Sequence, residues 1–378
     1  MEKVYNYLRV YNDLKEAILL NHYKNGEKLP TEEALQKRYG ISRITAKKAM
    51  ELLADDGLVE RFPGKGSFAR RPEKATEKKI HTNISKISNT SNKIIGVVMS
   101  DFGADFGQKF LKGVAAEANS QGCCLMTAVC FSTQEEECVL IERLISNGAQ
   151  GIIVMPVHTS SGMNTGIITR AMDGYPIVLA DRYLEGISLP YVGSNHVDGA
   201  FKATEYLFSL GHKYIGLVSP PPSTTAIAER ESGYMRAYAM TKYRVHPEYM
   251  VPDIISCLPN NGTSENVRRD IEHMKQFYRD NPSVTALLCI DYQVMKICES
   301  AAHEVGIRIP EDLSLVCFDA PNDGFAEYEY THIGQQENII GERAVQMLLD
   351  VINGNCEPKR VEISTELCIG MSTDKPKG

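Results

Sequence analysis

Two groups of residues in this chain have the types and spacing to do chemistry. One is cationic and local: Arg43, Lys47, Lys48, Arg61 and Lys65 fall within GISRITAKKAMELLADDGLVERFPGKGSF, residues 40–68. A guanidinium near the start of a helix can grip guanine O6 and N7 together, and a lysine held between glycines sets a cation and backbone N–H groups beside phosphate. The other group is dispersed: Asp101, Asp181 with Arg182, Asp291 and Asp319 each follow an apolar run. If those runs are parallel strands, these side chains lie beyond the carboxyl ends of a sheet, where ligands bind in open α/β folds. Each group has a plainer alternative. Arg43 alone fits a solvated helix face, and any one carboxylate fits a helix cap or a water-facing loop.

The elements that must position the cations are readable. Leu8, Tyr11, Leu14, Ile18 and Leu19 recur at helical spacing over 6–21, and GEKLP ends that unit. Thr31 caps a second helix whose first turn carries Glu32 and Glu33, suited to the positive end of its dipole. After the YGI turn, Ser42 caps a third helix, with Ala46, Ala49, Met50 and Leu53 on one arc and Arg43, Lys47 and Lys48 on the other side. Gly57 stops that helix, and LVERF–PGKG–SFARR reads as a hairpin. Three helices and a basic hairpin describe a winged helix-turn-helix, whose third helix enters the major groove.

From Ile94 the pattern changes. IIGVVM, CLMTAV, GIIVMP, PIVLAD, YIGLVS, ALLCI and LSLVCF alternate with amphipathic stretches, including 106–120 and 133–147. This is a doubly wound α/β architecture with parallel sheets. The expected division is a DNA-binding head over 1–70, a polar linker over 71–93 and a body over 94–378. Charge follows the same division. Residues 1–93 hold 19 Lys and Arg against 12 Asp and Glu, whereas 94–378 hold 22 against 36, so only the head calls for an anionic partner.

Composition narrows the class further. A chain of 378 residues implies two or three domains, and no apolar run is long enough to span a membrane. MEKVYNYLRV lacks the apolar core of a signal peptide, so a cytoplasmic protein is expected. Ten scattered cysteines without C-x-x-C spacing read as reduced thiols, with neither a metal nor another cofactor expected. G-x-G-x-x-G after a first strand, G-x-x-x-x-G-K-[ST] and G-x-S-x-G are all missing, which argues against dinucleotide, P-loop and hydrolase chemistry.

KLPTEEALQKRYGISRITAKKAMELLADDGLVERFPGKGSF resembles the DNA-binding domain of GntR-type bacterial regulators, over about residues 5–70. The resemblance implies DNA contacts from Arg43, Thr45 and Lys47, with Lys65 and Gly66 on the wing. With the caps and the neighbouring lysine, the candidate DNA-binding set is Thr31, Ser42, Arg43, Thr45, Lys47, Lys48, Lys65 and Gly66. Glu33 stands where many members have a basic residue, and Lys47 replaces a frequent arginine.

IGVVMSDFGADF, GAQGIIVMP, PIVLADRYLEGISLPYVGSN, GHKYIGLVS, RESGYMRAY, TALLCIDYQVMKICESAAHEVGIRIPEDLSLVCFD and THIGQQ resemble, in order, the effector domain of LacI-type regulators, itself similar to periplasmic sugar-binding proteins. That resemblance implies two lobes, one about 94–193 and 337–355, the other about 194–320 and 356–370. It implies crossings near 193, 320 and 336, a C-terminal strand returning to the second lobe, and a ligand in the cleft. The implied effector-binding residues are Phe106, Asp181, Arg182, Asn195, Arg230, Asp291, Asp319 and Gln335. Carboxylates accept from hydroxyls, arginine donates in a fork and an aromatic face covers ring C–H groups, chemistry suited to a sugar. Asp291 replaces a common asparagine, and Gly334 stands where a basic residue is frequent.

The same pairing of head and body occurs in bacterial arabinose repressors. It implies a non-enzymatic regulator that binds a palindromic operator as a homodimer and is released by a small carbohydrate such as a pentose. Three alternatives stay open at this level. The effector is a nucleoside or other metabolite, the body is a pyridoxal-phosphate enzyme as in some GntR-headed proteins, or the chain is a plain sugar-binding protein.

Overall fold

The computed structural model describes residues 6–19, 22–62, 65–70, 93–99, 105–130, 133–157, 164–222, 224–321, 329–355 and 359–377. The chain forms two compact units, 1–91 and 92–378. Residues 71–92 of the expected linker and Asp101 lie outside the described residues.

In the first unit, α1 (Asn6–Leu19), α2 (Glu32–Tyr39) and α3 (Arg43–Asp55) precede an antiparallel hairpin of β1 (Val59–Phe62) and β2 (Gly66–Ala69). The Thr31 hydroxyl accepts from Ala34 N and the Ser42 hydroxyl from Thr45 N, each at 3.2 Å, so both expected caps form. Gly40 ends α2 at φ 65°, a left-handed conformation that glycine adopts without strain. The arc of Ala46, Ala49, Met50 and Leu53 is buried against Val10, Leu14 and Ile18 of α1 and Leu35 of α2.

The second unit begins with β3 (Ile94–Met99), β4 (Cys124–Val129), β5 (Gly151–Val154), β6 (Ile177–Ala180) and β7 (Tyr191–Ser194). They are interleaved with α4 (Asp105–Ser120), α5 (Gln134–Ser146) and α6 (Thr165–Met172). The chain then runs through α7 (His196–Leu210), β8 (Ile215–Val218), α8 (Thr225–Ala239), β9 (Met250–Val251), α9 (Ser264–Asp280), β10 (Ala286–Cys289), α10 (Tyr292–Glu304), β11 (Ser314–Phe318) and β12 (His332–Gly334). It closes with α11 (Glu337–Ile352), β13 (Arg360–Ile363) and β14 (Glu366–Cys368).

Two six-stranded sheets result, β13-β7-β6-β5-β3-β4 and β14-β12-β11-β10-β8-β9, parallel throughout except for β12 with β14. The orders match strand for strand, so the unit is two copies of one lobe plan. β5, β6, β8, β10 and β11 are buried at every position, as strands covered on both faces must be. Paired helices touch through glycine. A Cβ on Gly341 of α11 would lie 2.3 Å from the Phe110 carbonyl oxygen of α4, and one on Gly233 of α8 would lie 2.3 Å from that of Val197 in α7.

The lobe boundaries differ from expectation at the C-terminus. No crossing occurs near 320, because β11 and β12 share the second sheet. Nor does all of 356–370 serve the second lobe: β13 extends the first sheet as the parallel partner of β7, Arg360 opposite Tyr191 through Ile363 opposite Ser194. β7 would otherwise be an edge strand, and β13 satisfies its free backbone groups. The third crossing is therefore at 364–365, after which β14 pairs with β12.

Candidate functional site

The carboxyl ends of the two sheets face each other across a cavity of about 340 Å³, within the range for small-molecule sites. Phe106 and Gly107 of α4, Met155 after β5, and Asp181 and Arg182 after β6 line it from the first lobe. Arg230 of α8, Asp291 after β10 and Asp319 after β11 line it from the second. The N-termini of α4, α8 and α10 all open on this space, so their positive dipole ends favour the carboxylates there.

Asp181 and Asp319 hold equivalent places, each directly after the fourth strand of its lobe, and both are left-handed, at φ 62° and 61°. Aspartate visits that region more readily than most residues, at a cost of order 1 kcal/mol. Arg182 Nε lies 3.3 Å from Asp181 Oδ2, and Arg182 Nη1 donates to the Pro156 carbonyl at 3.3 Å. Across the cavity Gln335 Nε2 donates to both Asp319 oxygens, at 2.9 and 2.8 Å. Arg230 donates through Nη1 to the Ile290 carbonyl at 2.7 Å and through Nε to His196 Nδ1 at 3.2 Å; its Nη2 lies 3.7 Å from Asp319 Oδ2. Its guanidinium stacks 4.0 Å from the centre of the Phe318 ring.

Burial pushes Asp181, Asp291 and Asp319 above the usual carboxylate range. Arg182 and Arg230 oppose that at Asp181, Arg230 and Gln335 at Asp319, and the Val294 N–H at Asp291. Burial likewise lowers Arg182, against the pull of Asp181. The result is a set of desolvated acceptors and forked donors beside apolar walls, an arrangement that exchanges hydrogen bonds with a hydroxyl-bearing ligand.

The structure brings Phe106, Asp181, Arg182, Arg230, Asp291, Asp319 and Gln335 to this one cavity. Asn195 is the departure. It caps α7, its Oδ1 accepting from Asp198 N at 2.9 Å, because the first crossing ends in a helix N-terminus that needs an acceptor there. Residues not anticipated include Thr224 and the 256–258 loop, which also line the cavity. Buried Asp270 holds that loop by accepting from Ile255 N and Ser256 N, at 3.0 and 2.7 Å. The loop follows a strand of only two residues, too short for any periodicity to reveal.

In the first unit Arg43 and Ile44 open α3 exposed, Ile44 at 80%. Thr45 shares its hydroxyl with Ser42 at 2.8 Å, Lys47 lies 3.7 Å from Glu51, and Lys48 sits over the Tyr7 ring at 4.4 Å. Lys65 is exposed at the hairpin tip; Gly66 has φ +115°, and a Cβ there would meet Lys28 Cε at 2.8 Å. The Thr31 and Ser42 hydroxyls accept as helix caps, and Arg43, Lys47, Lys48 and Lys65 are all exposed. Among the described residues no group of His, Cys, Asp or Glu is placed to hold a metal ion, and no helix is long and apolar enough to cross a membrane.

These features define a class: a winged helix-turn-helix unit joined to a two-lobed binding unit. Residues 6–68 match the family of bacterial regulatory proteins of the gntR type, and residues 204–373 match the periplasmic binding protein-like domain. The chain thus combines a GntR helix-turn-helix domain with a periplasmic-binding-protein-like domain. It is 24% identical over 352 residues to the arabinose metabolism transcriptional repressor of Geobacillus stearothermophilus, covering 92% of this chain and 91% of that protein. It is 23% identical to the transcriptional repressor CytR of Escherichia coli K12, over 71% of this chain and 75% of the relative. In fold it matches the transcriptional regulator CelR in complex with cellobiose, with a TM-score of 0.64, 20% identity, and coverage of 91% of this chain and all of that one.

Proposed function

We propose that this chain is a sugar-responsive transcriptional repressor, cytoplasmic and without catalytic activity, that binds a palindromic operator as a homodimer. A small carbohydrate such as a pentose enters the cavity between the lobes and releases the operator. The observation that carries this reading is the convergence of Asp181, Arg182, Arg230, Asp291 and Asp319, contributed by both lobes, on one cavity of about 340 Å³. With three carboxylates against two guanidiniums the lining suits a neutral, hydroxyl-rich ligand better than a phosphorylated one, since clustered carboxylates repel phosphate. The names of the relatives, an arabinose metabolism repressor among them, support repression and a sugar signal.

The mechanism needs only that the ligand bind one lobe angle better than another. A coupling of about 1–3 kcal/mol then changes operator affinity about 5–150-fold. The test is a melting-temperature screen against pentoses, hexoses, disaccharides and sugar phosphates, followed by operator binding with each ligand that shifts the transition. Arg43→Ala weakens operator binding and spares sugar binding. Arg230→Ala keeps operator binding and lowers sugar affinity at least tenfold, as expected for a lost charged hydrogen bond. If both variants lose both activities while folded, or keep both, the site assignments are wrong.

A further inference from the structure

His196 begins α7, immediately after the chain passes from β7 of the first lobe into the second, and it is fully buried. Its Nδ1 receives the Nε–H of Arg230 at 3.2 Å. A guanidinium keeps its protons at any ordinary pH, so Nδ1 carries the lone pair and the imidazole proton sits on Nε2. That Nε2 is buried without a hydrogen-bond partner among the described residues. It faces Asp181 across the lobe boundary, 3.8 Å from Oδ1, about an ångström beyond hydrogen-bond length. A buried donor left open costs free energy, and moving Asp181 that last ångström recovers it.

We propose that His196 is the positioning residue that couples the lobes. Closing the cleft brings the Asp181 carboxylate onto the His196 Nε2–H and completes a relay, Arg230 to His196 to Asp181, between the ligand-facing arginine of one lobe and the ligand-facing carboxylate of the other. This rests on the reading of the cavity as the effector site. The groups facing His196 are Arg230, Arg182 and Arg360, which disfavour a second proton, and the Asp181 backbone carbonyl, which favours it. Burial and the arginines prevail and hold the imidazole neutral, so the relay is a fixed donor rather than a pH switch. It also links two groups that a single ligand touches at once, so a ligand bridging Asp181 and Arg230 is rewarded twice on closure.

The substitutions His196→Asn and His196→Gln separate the two ring nitrogens. Asparagine keeps an acceptor near the Nδ1 position and removes the distal donor; glutamine restores an amide N–H at the distal position. The readout is the distance distribution between spin labels placed, as unnatural amino acids, at exposed Met172 of the first lobe and Met240 of the second in the full chain. L-arabinose, D-ribose and cellobiose serve as the ligand probes. His196→Asn lowers the closed-to-open ratio about tenfold with and without sugar, and His196→Gln recovers most of it. Nitrogen-15 spectra of labelled histidine show the Nε2–H tautomer, unchanged between pH 5.5 and 8. Identical distributions in the wild type and His196→Asn overturn the proposal, as does an Nδ1–H tautomer. If no probe alters the wild-type distribution while His196→Asn still does, the relay stands and the choice of sugar as effector falls.

Discussion

Glu137 offers a direct test of the electrostatics beneath the cavity. It lies on α5 with its side chain fully buried; Oε1 accepts from Val157 N at 2.9 Å and Oε2 from the Asn164 amide. Asn164 in turn caps α6, its Oδ1 accepting from Ile167 N at 3.1 Å. The carboxylate thus braces both ends of the segment that leaves β5, including Met155 of the cavity wall and the Pro156 carbonyl that Arg182 engages. Burial pushes its pKa from the ordinary 4.5 to about 7, against the Val157 and Asn164 donors and the pull of Arg182. Because the folded value lies above the unfolded one, the folded chain keeps a proton between pH 4.5 and 7 that the unfolded chain has released. That contribution to stability is complete below pH 4.5 and lost as pH rises through 7. At about 1.4 kcal/mol per pH unit the loss is about 3 kcal/mol. Glu137→Gln removes the titration. Whatever its constant cost, the variant gains about 3 kcal/mol on the wild type between pH 4.5 and 8, or about 5 °C in the melting temperature of a unit of this size. Since the chain has no tryptophan, the assay is far-ultraviolet circular dichroism or calorimetry at several pH values, read as the variant minus wild-type difference. A difference that stays flat across this range, or falls, refutes the argument.

Three further outcomes follow from packing and capping. Gly341→Ala forces a methyl group against the Phe110 carbonyl oxygen and destabilises the body by about 1–3 kcal/mol or more; an unchanged melting temperature contradicts the close helix crossing. Thr31→Ala removes the cap of α2, so the head loses about 1 kcal/mol in chemical denaturation, and an operator affinity of the folded protein within threefold of wild type takes Thr31 out of the DNA-contacting set. Asp319→Asn keeps the left-handed turn, which asparagine also tolerates, and leaves the fold intact, but it removes the ionic partner facing Arg230. Calorimetry with the sugar found by the screen should show at least a tenfold loss of affinity, and an unchanged affinity removes Asp319 from the site.

Much of this molecule was legible because its signals are local. Thr31, Ser42 and Gly57 punctuate short helices by side-chain and backbone chemistry that acts within four residues, and the buried parallel strands announce themselves as unbroken apolar runs. The strand ends then point to Asp181, Asp291 and Asp319 wherever the sheet carries them. What only the tertiary structure decided depends on partners distant in the chain. RVEI at 360–363 has no apolar run to declare it a strand, and it becomes one because β7 needs a neighbour. Asn195 reads as a ligand contact until the helix behind it claims its oxygen. His196 carries no pattern of its own: its role comes from Arg230, 34 residues on, and from Asp181 across the lobe boundary. Capping and hydrophobic burial are written in neighbouring residues, whereas a buried polar network acquires its meaning only when folding removes water and leaves each donor with the acceptors that topology supplies.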